Sequence, residues 1–151
     1  MNRFAYCQFA DDIRYEVGGK TSLIGIYGSE IHVTEFPAVM PKFCAAAFFA
    51  TSPEENLGSL QVTVLNGDSV VFEAAVPSDT LQQMVGDVLK NPTPEDPVSV
   101  ITLGVHGIVS PLVLDRESVI KVIVKADGQE YMAGKLRVKK IQPQASTSLL
   151  P

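Results

Sequence analysis

Apolar and polar side chains alternate on both sides of Gly18-Gly19, between residues 11 and 26. A two-residue hairpin loop at Gly18-Gly19 pairs Tyr15 with Ser22 and Ile13 with Ile24. That register collects Ile13, Tyr15, Val17, Ile24 and Ile26 on one face, and Asp12, Arg14, Glu16, Thr21 and Leu23 on the other. Residues 42–50 are apolar on both alternations, the pattern of a central strand covered on each side. Phe36 to Pro41 reads as an extended crossing before it. Residues 60–65 and 69–74 flank Asn66, Gly67 and Asp68. A three-residue loop there gathers Leu60, Val62, Val64, Val70, Phe72 and Ala74 on one face.

Residues 80–90 carry the one helical period, through Leu81, Met84, Val85, Val88 and Leu89, with Thr80 and Gln83 spaced as a capping box. A proline-rich linker, 91–97, follows. Strands are predicted again at 98–104, 107–114, 118–126 and 129–141. Asp127-Gly128 as a two-residue turn sets Lys125 opposite Glu130 and Val124 opposite Tyr131. A bulge at Gly134 then returns Leu136 and Val138 to the apolar face. These elements predict an all-β fold, mainly antiparallel, built as a two-layer β-sandwich with one short helix in a crossover connection. Residues 1–141 form its single domain, and the polar, proline-bearing 142–151 form a flexible C-terminal arm ending in Leu149-Leu150.

Composition narrows the setting. The chain has 151 residues, 46% of them hydrophobic and 19% charged, with no run near the roughly 18 uncharged apolar residues of a membrane span. The N-terminus lacks an apolar leader, which predicts a bacterial or host cytoplasm, or a virion assembled there, and Cys7 and Cys44 are expected as reduced thiols. The net charge of -5 is uneven, because residues 121–140 carry +4 and leave −9 elsewhere. Lys121, Lys125 and Arg137 in that basic segment are candidate interface residues, as are Leu149 and Leu150 in the arm. Aromatic residues do not alternate with the basic ones for base stacking, Tyr131 being the segment's single one, so nucleic acid is not an expected partner.

Candidate chemistry is sparse. Gly19-Lys20-Thr21 ends like a nucleotide-binding phosphate loop, but Arg14 stands where the distal glycine belongs, and the residues after Thr21 suit a strand. No nucleotide is expected at Lys20. Gly18, Gly19, Asn66, Gly67, Asp127 and Gly128 are assigned to turns. Asp11 and Asp12 face opposite sides of a strand and make no acid/base pair; Asp12 is expected to join an exposed ladder with Arg14 and Glu16, while Asp11 points at apolar surface and needs a hydrogen-bond partner. His32 and His106 lack neighbours at metal-ligand spacing. The apolar neighbours of Cys44 disfavour a thiolate nucleophile. No catalytic residue, cofactor or metal is therefore assigned, and the protein is not expected to be an enzyme.

The blocks Asp11-Asp12-Ile13-Arg14, Gly18-Gly19-Lys20 and Ser22-Leu-Ile-Gly-Ile-Tyr-Gly28, with Phe36-Pro-Ala-Val-Met-Pro-Lys-Phe43 after them, resemble the start of a family of uncharacterised proteins of bacteria and of phages or prophages. The resemblance covers about the first third of the chain. It implies an intracellular or virus-borne setting and transfers no activity. The function expected is a non-enzymatic protein-interaction or assembly module that binds a protein partner or its own copies, as a virion component or an accessory factor. The alternative is a small-ligand or enzymatic module with a pocket between the sheets, near Asp11, Tyr27 and His32.

Overall fold

A computed structural model of the chain describes residues 3–90 and 92–143. Two sheets face one another across the core. The first has the order β2-β1-β5-β8, from β1 (Phe4–Tyr15), β2 (Thr21–Ile26), β5 (Phe43–Thr51) and β8 (Ile101–Val109). The second has the order β3-β11-β10-β6-β7, from β3 (Glu30–Val33), β6 (Leu60–Asn66), β7 (Ser69–Ala75), β10 (Ser118–Ala126) and β11 (Gln129–Lys140). A short ribbon pairs β4 (Ala38–Met40) with β9 (Leu112–Leu114), and α1 (Ser78–Val88) lies in the crossover from β7 to β8. All pairings are antiparallel except β3 with β11. The expected all-β sandwich with one helix is the fold found.

Alternation explains the core. Phe9, Phe43, Ala45, Ala47, Phe49 and Leu103 project from one sheet and meet Leu60, Val62, Val64, Ile120, Val122, Leu136 and Val138 from the other, all buried. The Asp127-Gly128 turn forms as read, with both residues at positive φ and with Lys125 opposite Glu130 and Val124 opposite Tyr131. The register of β10 against β11 shifts once, where Val122 faces Gly134 and Ile123 faces Met132. That bulge returns Leu136 and Val138 to the core, as their burial requires. A Cβ at Gly134 would sit 3.2 Å from both Cys7 and Phe9, so its missing side chain also lets the facing sheet approach.

Other expectations need correction. The first hairpin closes through a three-residue loop, Val17-Gly18-Gly19, because the Glu16 amide bonds to the Lys20 carbonyl and Tyr15 faces Thr21. Ile13 therefore faces Leu23, and Asp12 faces Ile24. Gly18 and Gly19 keep their turn role, at φ +87 and +76. The second hairpin turns through two residues, Gly67-Asp68, with Asn66 as the last residue of β6 facing Ser69. A bulge at Val71 then realigns Val64 with Phe72 and Val62 with Ala74, leaving Val70 exposed. The helix begins at Ser78 behind Pro77 with no side-chain cap, so Thr80 and Gln83 form no capping box. The strand expected at 107–114 is divided between β8 and β9. In β8, Gly104 and Gly107 do not break the strand: a Cβ would meet Phe48 at 3.2 Å at the first and Phe72 at 3.0 Å at the second, so these glycines make room for rings.

Candidate functional site

The outer face of the first sheet is where the sequence departs most from an ordinary solvated strand surface. Cross-strand partners share a face, which places Phe4, Tyr6, Gln8 and Ala10 of β1 beside Ala50, Phe48, Ala46 and Cys44 of β5. Next to those lie Thr102, Gly104, His106 and Ile108 of β8. None of these twelve side chains is formally charged when the imidazole is neutral. Burial lowers the His106 pKa below its ordinary value, which keeps the ring neutral at pH 7.

Two structures divide this face. At one end the tip of the β1–β2 hairpin folds across it. Ile13 and Leu23 pack on Cys44, Ala46 and Phe48, and the Tyr15 hydroxyl lies 2.9 Å from His106 Nδ1, with the two rings 5.7 Å apart. This flap explains why β5 is apolar on both alternations: the opposite sheet covers one side and the protein's own hairpin covers part of the other. At the other end the face is open. Phe4 stacks on Tyr6 and Tyr6 on Phe48, with centroids 6.2 and 4.9 Å apart, and Phe4 and Tyr6 remain 48% and 43% exposed.

The base of the flap is fixed by polar pairs. The Tyr27 hydroxyl donates to the Asp11 carboxylate, which gives Asp11 the partner its position demands. Burial, then the Asp11 hydrogen bond and charge, push the Tyr27 pKa above its ordinary value, so the hydroxyl stays protonated. Lys42 donates to Asp12, and this hydrogen bond is the largest of the effects that hold the Asp12 carboxyl below its usual range. The expected Asp12 ladder is thus replaced by a pair with Lys42, while Arg14 lies 3.6 Å from Glu16. Gly25, at φ +67, lies against the Asp11 carboxylate where a Cβ would collide with it. The residues that carry the N-terminal sequence motif, Asp11, Asp12, Gly25, Tyr27 and Lys42, are therefore one structural knot.

His32 is not part of it. It projects from β3 beside Lys139 and lies 3.3 Å from Glu30, so the triad of Asp11, Tyr27 and His32 is not assembled. Between the sheets at this point the space is filled, with Phe43 stacked on Phe9 and tilted against Tyr27. Cys7 faces the core, and burial pushes its thiol up to about 12. Burial likewise raises the buried Cys44 thiol, whose Sγ lies 3.8 Å from the Asp11 carbonyl oxygen. Neither is activated. Among the described residues no three His, Cys, Asp or Glu side chains gather to hold a metal ion.

The basic segment occupies the outer face of the second sheet. Lys121 faces Lys135 directly across β10 and β11, with Arg137 beside them opposite Val119. Together with Ser29 these residues line an open depression of about 570 Å³. Lys125 lies apart, opposite Glu130 and Gln61. Leu149 and Leu150 fall outside the described residues. No helix is long and apolar enough to cross a membrane among the described residues.

No curated protein matches the chain, and no solved structure does. A family model matches residues 5–139, which spans both sheets, the flap and the basic face; the chain belongs to that family, DUF6941, a family of unknown function.

Proposed function

We propose that this protein is a non-enzymatic assembly module whose copies associate through the open half of the first sheet's outer face. The observation that supports this is the aromatic row Phe4, Tyr6 and Phe48 on an uncharged sheet surface, with Phe4 and Tyr6 exposed and Phe48 half-buried. An isolated sandwich gains nothing from keeping such a row in water, whereas covering the exposed half of Phe4 and Tyr6 contributes roughly 1 kcal/mol each. Ala50 is buried and Gly104 lies against the Phe48 ring, so Phe4 and Tyr6 are the parts of the row that a partner can cover. An uncharged face meets its own copy under a two-fold axis without like-charge repulsion, which favours a second copy as the occupant. The setting consistent with this reading is a cytoplasm, or a particle of bacterial or phage origin assembled within one.

Sedimentation equilibrium tests it. In 500 mM NaCl the wild-type chain is expected to dimerise at concentrations on the order of 100 µM or below. Under the same conditions Tyr6→Lys, which places a charge in the row at a partly exposed position, is expected to be monomeric with nearly unchanged melting temperature. A wild-type monomer, or a Tyr6→Lys dimer as tight as wild type, would overturn the reading.

A further inference from the structure

The outer face of the second sheet carries a different surface. Lys121 and Lys135 are direct cross-strand neighbours, and like charges so placed oppose folding. Among the described residues neither forms an ion pair, and neither does Arg137. Lys139 reaches Glu117 at 3.9 Å, and Glu30 faces Arg137 across β3 and β11 while its carboxylate lies 3.3 Å from His32. Three cations thus crowd one depression beside a single acid, on a chain that is net negative elsewhere.

The complement lies on the same chain. The loop Pro53 to Leu57 and helix α1 form a second groove of about 360 Å³, lined by Glu54, Glu55, Gln82, Val85 and Leu89. Asp79 lies one helical turn before Gln82, and Asp87 follows Gly86. Among the described residues Glu55 is neutralised by Arg3 at 2.6 Å, and Glu54, Asp79 and Asp87 form no ion pair. We infer that the Lys121, Lys135 and Arg137 face docks the acidic α1 groove of a second copy, a head-to-tail contact distinct from the aromatic one. Nucleic acid is the poorer occupant, because the chain's net charge repels it and the apolar side chain that lines the depression, Val119, is aliphatic. A head-to-tail contact does not close on itself as a two-fold one does, so a chain bearing both contacts builds assemblies larger than a dimer.

The two contacts answer salt oppositely. Association through the aromatic row is insensitive to salt, whereas the charged contact weakens with screening. The experiment uses full-length Tyr6→Lys, which removes the first contact, in sedimentation velocity at 20 and 500 mM NaCl. Residual association at low salt is expected, at least about tenfold weaker at high salt. Adding Lys135→Glu and Arg137→Glu should abolish it. Mixing that variant with one carrying Glu54→Lys and Asp87→Lys should restore a heterodimer. Lys135→Glu alone should raise the melting temperature by relieving the repulsion with Lys121, while it weakens association. A stabilised variant that associates as well as its parent would show a merely solvated face and overturn the inference. So would salt-insensitive association, no association in any mixture, or saturable binding of a fluorescent 20-mer DNA that needs Arg137. Failure of the aromatic contact leaves this test intact, since it shows in the wild type alone.

Discussion

Gly25 carries two constraints at once. Its φ of +67 costs another residue about 1–2 kcal/mol, and a Cβ would also press on the Asp11 carboxylate that Tyr27 holds. Gly18 has the same backbone sign, at φ +87, but opens into empty space. Gly18→Ala should therefore cost about 1–2 kcal/mol in urea unfolding and Gly25→Ala clearly more, about 3 kcal/mol. In an Asp11→Ala background the excess at Gly25 should shrink by most of its size, because the carboxylate is gone and only the Cβ contact at 3.2 Å remains. Equal losses at the two glycines would show that the carboxylate yields freely. A strand-period reading registers the positive φ of a turn glycine but not a glycine emptied for a side chain twelve or more positions away. For the same reason the predicted strands 98–104 and 107–114 stop and start at Gly104 and Gly107, which in β8 make room for Phe48 and Phe72 within one strand.

At the scale of elements, turn chemistry was legible where it was local. Asp127-Gly128 fits one turn type, and Gly134 stands where the apolar alternation breaks, so turn and bulge follow from the residues alone. The β6–β7 hairpin was ambiguous in principle. A three-residue loop and a two-residue turn followed by one bulged residue put Phe72 and Ala74 on the same face, and only Val70 tells them apart. The β1–β2 register failed for another reason: the hairpin bends over the outside of its own sheet, so apolar residues near its tip answer to a surface that the core-face rule does not include. That flap predicts a thiol behaviour. Ile13 seals Cys44, which is buried, so labelling of Cys44 in the folded protein should be slow. Ile13→Ala removes packing worth about 2–4 kcal/mol and should speed labelling at Cys44 at least tenfold, read by mass spectrometry of that peptide. No acceleration would mean that opening of the whole sandwich, not of the flap, limits access.

For the whole molecule, the two sheets are fastened at one end by a polar clamp. Arg3, just before β1, donates to Asp127 in the β10–β11 turn at 2.7 Å, and its Nε lies 3.1 Å from Thr51 Oγ1. Asp127 also accepts the amides of Gly58 and Ser59 at 2.8 and 3.0 Å. One carboxylate thus ties the first sheet, the turn of the second and the loop entering β6, a link that the sequence displayed only as a turn residue because its partners lie 68 or more positions away. Desolvation raises the Asp127 pKa, but the Arg3 hydrogen bond and charge and the two amides outweigh it and hold the carboxyl below its ordinary 3.8. The sign follows from that direction. A carboxylate depressed in the folded state stabilises the fold above its unfolded pKa, and that contribution is lost as pH falls through the folded value. Asp127→Asn, which keeps the shape and tolerates the positive φ of 49, should then be less stable than wild type at pH 7. The loss should be about 1 kcal/mol, since solvent screens this partly exposed ion pair. The gap should persist down to pH 4 and close below it, as the wild-type carboxyl protonates. Urea titrations of both proteins between pH 2.5 and 7 measure it. A gap constant across that range would mean that the shape of residue 127, and not its charge, holds the sheets together.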